Sequence, residues 1–247
     1  MSGHTHRAAW QQPQLVHTFL SERQQLLPLP DVQEELVETL FRRSDRPLGR
    51  FLDVGAGNGA MTQLLQRVAP SAEAVLVDYS EPMLASAAER LGAPGERWQA
   101  VRADLRDPSW RDALPAGGYD AAVSGYAIHH LPAARKRELF AEIRELLEPG
   151  AMFVNMDFVA IAGPLAGLFD ERMLANSIAI EHQHGGARND EQLRHDLLDE
   201  DTDDQPDTVQ DQLRWLADAG FQEPELHFKW AEAAVFGGVS PAGEQSR

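Results

Sequence analysis

The segment LDVGAGNGA, residues 52–60, sets Gly55, Gly57 and Gly59 directly behind a short apolar run. Lacking side chains, glycines in such a turn, with Ala56 between the first two, let backbone N–H groups close on a ligand at the start of the following helix. The next apolar run ends at Asp78, about the separation at which a carboxylate meets ribose hydroxyls. These features leave the ligand open. Gly55, Gly57 and Ala60 also satisfy the fingerprint of dinucleotide enzymes, so a nicotinamide-dependent oxidoreductase fits them as well. Asp53 tilts the choice, because a carboxylate two residues before the first glycine suits a ligand carrying an ammonium group and repels a pyrophosphate. Further on, His129 and His130 follow another apolar run and Asp157 ends the next. Imidazole and carboxylate are the groups that accept a proton or orient an acceptor's hydroxyl or ammonium.

Such groups need strands to hold them. Strands are predicted at Arg50–Val54, Ala74–Asp78, Trp98–Ala103, Tyr119–Ser124 and Ala151–Asp157, alternating with helical stretches, the pattern of a mostly parallel sheet with helices on both faces. Met61, Leu64, Leu65 and Val68 share one helical face, Ser80 caps a helix that runs to Gly92, and Ala133–Leu147 carries an apolar stripe. Asp207 and Gln210 read as a capping box opening a helix closed by Gly220, and two last strands follow, about Glu225–Trp230 and Ala233–Val239. His129, His130 and Asp157 then fall at the carboxyl ends of central strands, where open sheets form ligand clefts. Adjacent side chains in an extended segment point opposite ways, so only one of the two histidines is expected to face the cleft.

Residues 1–45 hold two amphipathic segments, Leu15–Leu27 and Val32–Phe41, read as a helical cap with Phe19, Leu20, Leu26 and Leu27 toward the cleft. Residues 46–240 form the core, a break in rhythm at about 160–205 reads as a lid-like insertion, and 241–247 as a disordered tail. The sequence has no cysteine, which removes disulfides and thiolate chemistry and makes the cytoplasm the default compartment. Neither a membrane-spanning run nor a signal peptide is apparent. Of the net charge of −17, seven carboxylates lie in Asp196–Asp207, read as a solvated connector, and setting them aside still leaves −10. Such a surface repels phosphate backbones, so a small molecule is a better acceptor than nucleic acid. Glu181, His182, His184 and His195 match no closed metal motif, and no metal is assigned; Lys229 and Trp230 read as edge packing.

Taken in order and spacing, FLDVGAGNGAMT, VLVDYSEPML, ADLRD, YDAAVSGYAIHHL, LLEPGAMFVNMD and GFQEPELHFKWAEAAVFGG resemble the class I S-adenosylmethionine-dependent methyltransferases, from about Leu48 to Gly238. The likeness is greatest to small-molecule members with a His-His-Leu segment after the fourth strand. It implies an α/β fold: a Rossmann-like, doubly wound, mostly parallel seven-stranded sheet with an antiparallel last strand, plus the helical cap. It also implies S-adenosyl-L-methionine as cofactor. Asp53 and Gly55 would then lie by its methionine end with Ser124 alongside, Asp78 on the ribose, Tyr79 and Met83 against adenine, and Asp104 with Leu105 at the adenine edge. The one departure is Ala151, where many members have a second glycine after Pro-Gly. The expected activity is methyl transfer to a small acceptor beneath the cap, with His129, His130 and Asp157 as candidate catalytic groups and a homodimer as a further expectation. A protein that keeps the cofactor site without methylating would look the same.

Overall fold

The computed structural model describes residues 11, 27–95, 97–184, 189–194 and 204–243. Of the expected N-terminal cap, the segment ahead of Leu27 otherwise lies outside these residues, as do His195 and most of the acidic run. Helix α1 (Pro30–Arg42) realises the second amphipathic segment, burying Gln33, Val37 and Phe41. The chain continues through β1 (Arg50–Val54), α2 (Ala60–Val68), β2 (Glu73–Asp78), α3 (Glu81–Leu91), β3 (Trp98–Arg102), a 3₁₀ turn (Pro108–Ala113), β4 (Tyr119–Gly125), a second 3₁₀ turn (Ile128–His130), α4 (Ala133–Leu146) and β5 (Leu147–Phe158). Helices α5 (Leu168–His184), α6 (Asp190–Arg194) and α7 (Val209–Asp218) precede β6 (Gln222–Trp230) and β7 (Ala233–Val239).

The strands form one sheet in the order β3-β2-β1-β4-β5-β7-β6. β1 to β5 pair in parallel, while β7 runs antiparallel to both of its neighbours. The strand order reverses direction between β1 and β4, and at such a switch point the loops leaving the two strands part to open a crevice. The side-chain period of two sorts each strand between two cores. Leu52, Val54, Val75, Val77 and Phe153 join Phe140, Ile143 and Leu216 on one face. Phe51, Leu76, Val123 and Val154 join Met61, Leu65 and α1 residues Val37 and Phe41 on the other. By the same parity Asp53 lies on the α1/α2 face, and Asp157 on the α4/α7 face.

Two details depart from expectation. The cap of α7 is Thr208, whose hydroxyl accepts from the backbone N–H of Asp211, because Asp207 is already engaged by Lys136. β5 is longer than expected, starting at Leu147 directly where α4 ends. Among the described residues, no helix is long and apolar enough to cross a membrane.

A buried polar network braces the sheet's helical face. Arg135 on α4 bonds both carboxylate oxygens of Glu142, at 2.8 and 2.6 Å, and Trp110 Nε1 donates to the same group at 2.6 Å. The remaining guanidinium donor of this set, Nε, reaches the carbonyl of Leu105 at 2.6 Å. A paired charge of this kind is tolerated inside a core because each partner replaces the water the other has lost. Its consequence here is positional, fixing the loop after β3 against α4.

Candidate functional site

The three glycines of the first turn all have positive φ, yet each answers a different constraint. A Cβ on Gly55 would come within 2.4 Å of the Ala127 Cβ, so the loop after β4 requires that glycine. A Cβ on Gly59 would meet Leu91 of α3 at 2.8 Å, so helix packing requires that one. A Cβ on Gly57 would meet nothing nearer than the Met83 sulfur at 3.9 Å, which leaves open space on its ligand-facing side.

Behind the turn, Asp53 is fully buried and its Oδ2 accepts from the backbone N–H and the hydroxyl of Thr62, at 3.0 and 2.7 Å. This carboxylate therefore fastens the glycine strand to the first turn of α2, where the helix dipole favours a negative charge. Ser124 is likewise buried and donates to the carbonyl of Val54 at 2.7 Å, tying β4 to β1 at the mouth of the crevice. Asp78 accepts from Gly57 N–H at 2.8 Å and from Ser80 N–H at 2.8 Å. Burial raises its pKa above the ordinary carboxylate value, against the pull of the backbone N–H groups of Ser80, Gly57 and Tyr79, and the charge of Asp104 adds to the rise. Tyr79 follows Asp78 at the strand end, its carbonyl accepting from Gln11. Met83, Ala56 and Leu105 are nearly buried around the same turn.

Across the switch point, Asp157 is fully buried and spends both oxygens on the loop after β4. Oδ2 accepts from the backbone N–H of His129 at 3.0 Å, and Oδ1 meets His129 Nδ1 at 2.5 Å. Asn155 and the N–H of Phe158 complete its shell. The carboxylate so placed fixes the imidazole with Nε2 turned outward, and Nε2 lies 3.5 Å from Asp204 Oδ1. Burial alone would lower the pKa of His129; the charges of Asp157 and Asp204 overcome it and the net shift is upward. His130 shifts the other way, lowered by burial and by its charged neighbour His129.

The expectation that the two histidines diverge fails because residues 128–130 form a 3₁₀ turn and not an extended segment. Their rings sit 4.0 Å apart, and His130 Nδ1 lies 2.8 Å from the same Asp204 oxygen. Asp204 belongs to the acidic run, whose last residues are anchored to the core. Gln205 N–H donates to the carbonyl of His129 at 2.9 Å, and the buried ammonium of Lys136 bonds the Gln205 carbonyl and, at 2.7 Å, Asp207. On the α1 side, Tyr126 holds a positive φ of 55°, packs its ring at a tilt against Phe158 and donates to Gln33 at 2.8 Å. His182 lies elsewhere, paired with Asp190 on the exposed side of α5.

Residues 51–150 match the family model described as "Methyltransferase domain". The chain carries a class I S-adenosylmethionine-dependent methyltransferase domain. The nicotinamide reading that the glycine spacing allowed is set aside. Relatives of this methyltransferase domain include the ubiquinone/menaquinone biosynthesis C-methyltransferase UbiE of Bordetella parapertussis, 27% identical over 53% of this chain and 49% of that protein. A malonyl-[acyl-carrier protein] O-methyltransferase of Geobacter sulfurreducens is 35% identical over 49% of this chain and 43% of its own. The chain thus spans about half the length, or less, of these curated relatives. Human N-acetylserotonin methyltransferase in complex with SAM superposes with a TM-score of 0.64 at 16% identity, over 97% of this chain and 59% of that one, a likeness of fold.

Several residues of the site gave no local signal in the sequence. Thr62, Gln33, Lys136 and Asp204 meet their partners only through the tertiary fold; Tyr126 and Gln33, for instance, are 93 positions apart. Gly55 supplies a direct check of the geometry. Gly55→Ala, at φ 69° and against Ala127, is expected to lower stability by at least about 1–2 kcal/mol in urea unfolding; an unchanged midpoint would contradict the packing described.

Proposed function

We propose that the chain binds S-adenosylmethionine on the Gly55–Gly59 turn and transfers its methyl group to a small, proton-bearing acceptor held beside His129. The single observation carrying this reading is the buried Asp157–His129 pair, 2.5 Å between Oδ1 and Nδ1, on a loop whose Ala127 packs against the glycine turn. Cofactor and imidazole are thereby brought to one crevice. In this reading Asp78 accepts from the ribose hydroxyls, Tyr79, Met83, Asp104 and Leu105 surround adenine, and the open side of Gly57, with Ala56, admits the cofactor's middle. Asp53 and Gly55 serve the methionine end by shaping the turn, and Ser124 by closing strand β4 onto β1.

Methyl transfer is an in-line displacement at carbon, so the protein chiefly aligns acceptor and methyl–sulfur axis and excludes water. An acceptor O–H must also lose its proton. His129 is oriented for that task because Asp157 holds Nδ1 and favours the imidazolium that proton uptake creates. Asp157 itself is enclosed and acts as a positioning residue. The relatives include a C-methyltransferase of ubiquinone/menaquinone biosynthesis and a malonyl-[acyl-carrier protein] O-methyltransferase, which supports an acceptor other than nucleic acid here. The fit of a small molecule over nucleic acid rests on the net charge of −17, and a cytoplasmic setting on the absence of cysteine.

Two outcomes test the assignment. Asp78→Ala should weaken binding of S-adenosylhomocysteine, measured by calorimetry, by about 1–3 kcal/mol, the scale of leaving buried hydroxyls without a partner. In the native protein, ribose recognition needs Asp78 ionised, so affinity should fall as pH is lowered through its raised pKa, above the ordinary carboxylate range. Affinity unchanged by either perturbation would place the cofactor elsewhere. His129→Ala should retain S-adenosylhomocysteine affinity while reducing labelled-methyl turnover by about 10²–10⁴-fold; full turnover would remove His129 from the reaction.

A further inference from the structure

His129, His130 and Asp204 offer one ligand atom each, all within 4.8 Å of one another. We propose that these three side chains form a binding site for one divalent transition-metal ion of the zinc or cobalt type. The contacts to Asp204, 2.8 Å from His130 Nδ1 and 3.5 Å from His129 Nε2, bracket the separation of about 3.4 Å expected between neighbouring ligands of a tetrahedral ion with bonds of about 2.1 Å. Imidazole nitrogens with a carboxylate oxygen are the donor set that such ions prefer.

Three further observations fit a metal site better than a chance meeting of polar groups. Asp157 holds the other nitrogen of His129, so Nε2 presents its lone pair toward Asp204, the carboxylate–histidine arrangement that orients metal-bound imidazoles. The 3₁₀ turn, by bringing both rings to one side at 4.0 Å, supplies two nitrogens from adjacent residues. Carboxylates gather around the two rings: Asp157 and Asp204 contact them directly and Asp207 lies close by on Lys136, while Arg106 donates to the carbonyl of His130. Lys136 and Gln205 also pin the segment bearing Asp204, so the third ligand is held by the core. Three protein ligands leave a coordination position for an acceptor oxygen, whose proton the ion would loosen; with Nε2 of His129 on the ion, that proton passes to solvent and the ion takes the place of the imidazole as the activating group. That role, unlike the site itself, rests on the methyl-transfer reading.

Cobalt(II) titration of the chelator-treated full chain, followed by its visible absorption, tests the site without any turnover. One equivalent should bind with bands of low-coordinate cobalt, displaced by zinc. His130→Ala and Asp204→Asn, both partly exposed positions that leave the core intact, should each weaken binding at least about 10-fold, and Asp157→Asn about 10-fold through His129. His182→Ala, on the exposed side of α5, should leave it unchanged. Circular dichroism and S-adenosylhomocysteine affinity of the same variants separate loss of ligands from loss of fold. Absence of a one-equivalent complex, or binding that survives His130→Ala and Asp204→Asn together, overturns the proposal while leaving the methyl-transfer reading in place; cobalt binding without methyl transfer would do the reverse.

Discussion

Asp157 ends β5 in complete burial and gives both oxygens to a loop that leaves the neighbouring strand. A carboxylate there is tolerable only because backbone and imidazole donors replace its lost water. The same device recurs across the switch point, where Asp78 ends β2 and accepts from Gly57, in the turn that leaves β1. The two strands at the switch point, β1 and β4, thus each have their loop fixed by an acidic residue near the end of the strand beside it. The two loops touch where Ala127 fills the space that a side chain on Gly55 would need. Glycine turn and imidazole are consequently set by one continuous arrangement of strand ends, and the crevice between them inherits its shape from the sheet.

Elements outside the sheet act on that arrangement through single contacts. Helix α1 reaches the β4 loop through Gln33 and Tyr126, whose backbone sits in the left-handed region at φ 55°. A non-glycine residue held there costs on the order of 1 kcal/mol, and the Gln33 bond and the Phe158 contact hold it in place. From the opposite side, buried Lys136 draws residues 205 and 207 down and with them Asp204. Arg135, through its pair with Glu142, steadies Leu105 in the loop after β3. Each contact converts a distant helix into a constraint on one loop of the crevice.

The sheet was legible in the sequence because apolar runs, glycine turns and helix stops are local signals, and all seven strands fall where those signals place them, with ends shifted by a few residues. The acidic strand end Asp78 was legible by its spacing from the glycines. Less was readable where chemistry depends on side chains from separate elements. The sequence carries no mark that Asp53 would meet Thr62, or that an acidic run would end beneath two histidines. The expectation of diverging histidines followed from assuming extended backbone, and a single 3₁₀ turn reversed it. The capping box at Asp207 failed for a related reason: a buried lysine, remote in sequence, claimed the carboxylate first.

Whether the glycine turn and the His129 loop serve one bound cofactor is decided by a crystal structure of the chain with S-adenosylhomocysteine. Ribose hydroxyls are expected within hydrogen-bond distance of Asp78, adenine against Met83 and Leu105, and the sulfur turned toward His129. A cofactor bound away from Asp78, or with its sulfur facing away from the His129 loop, would contradict a shared site.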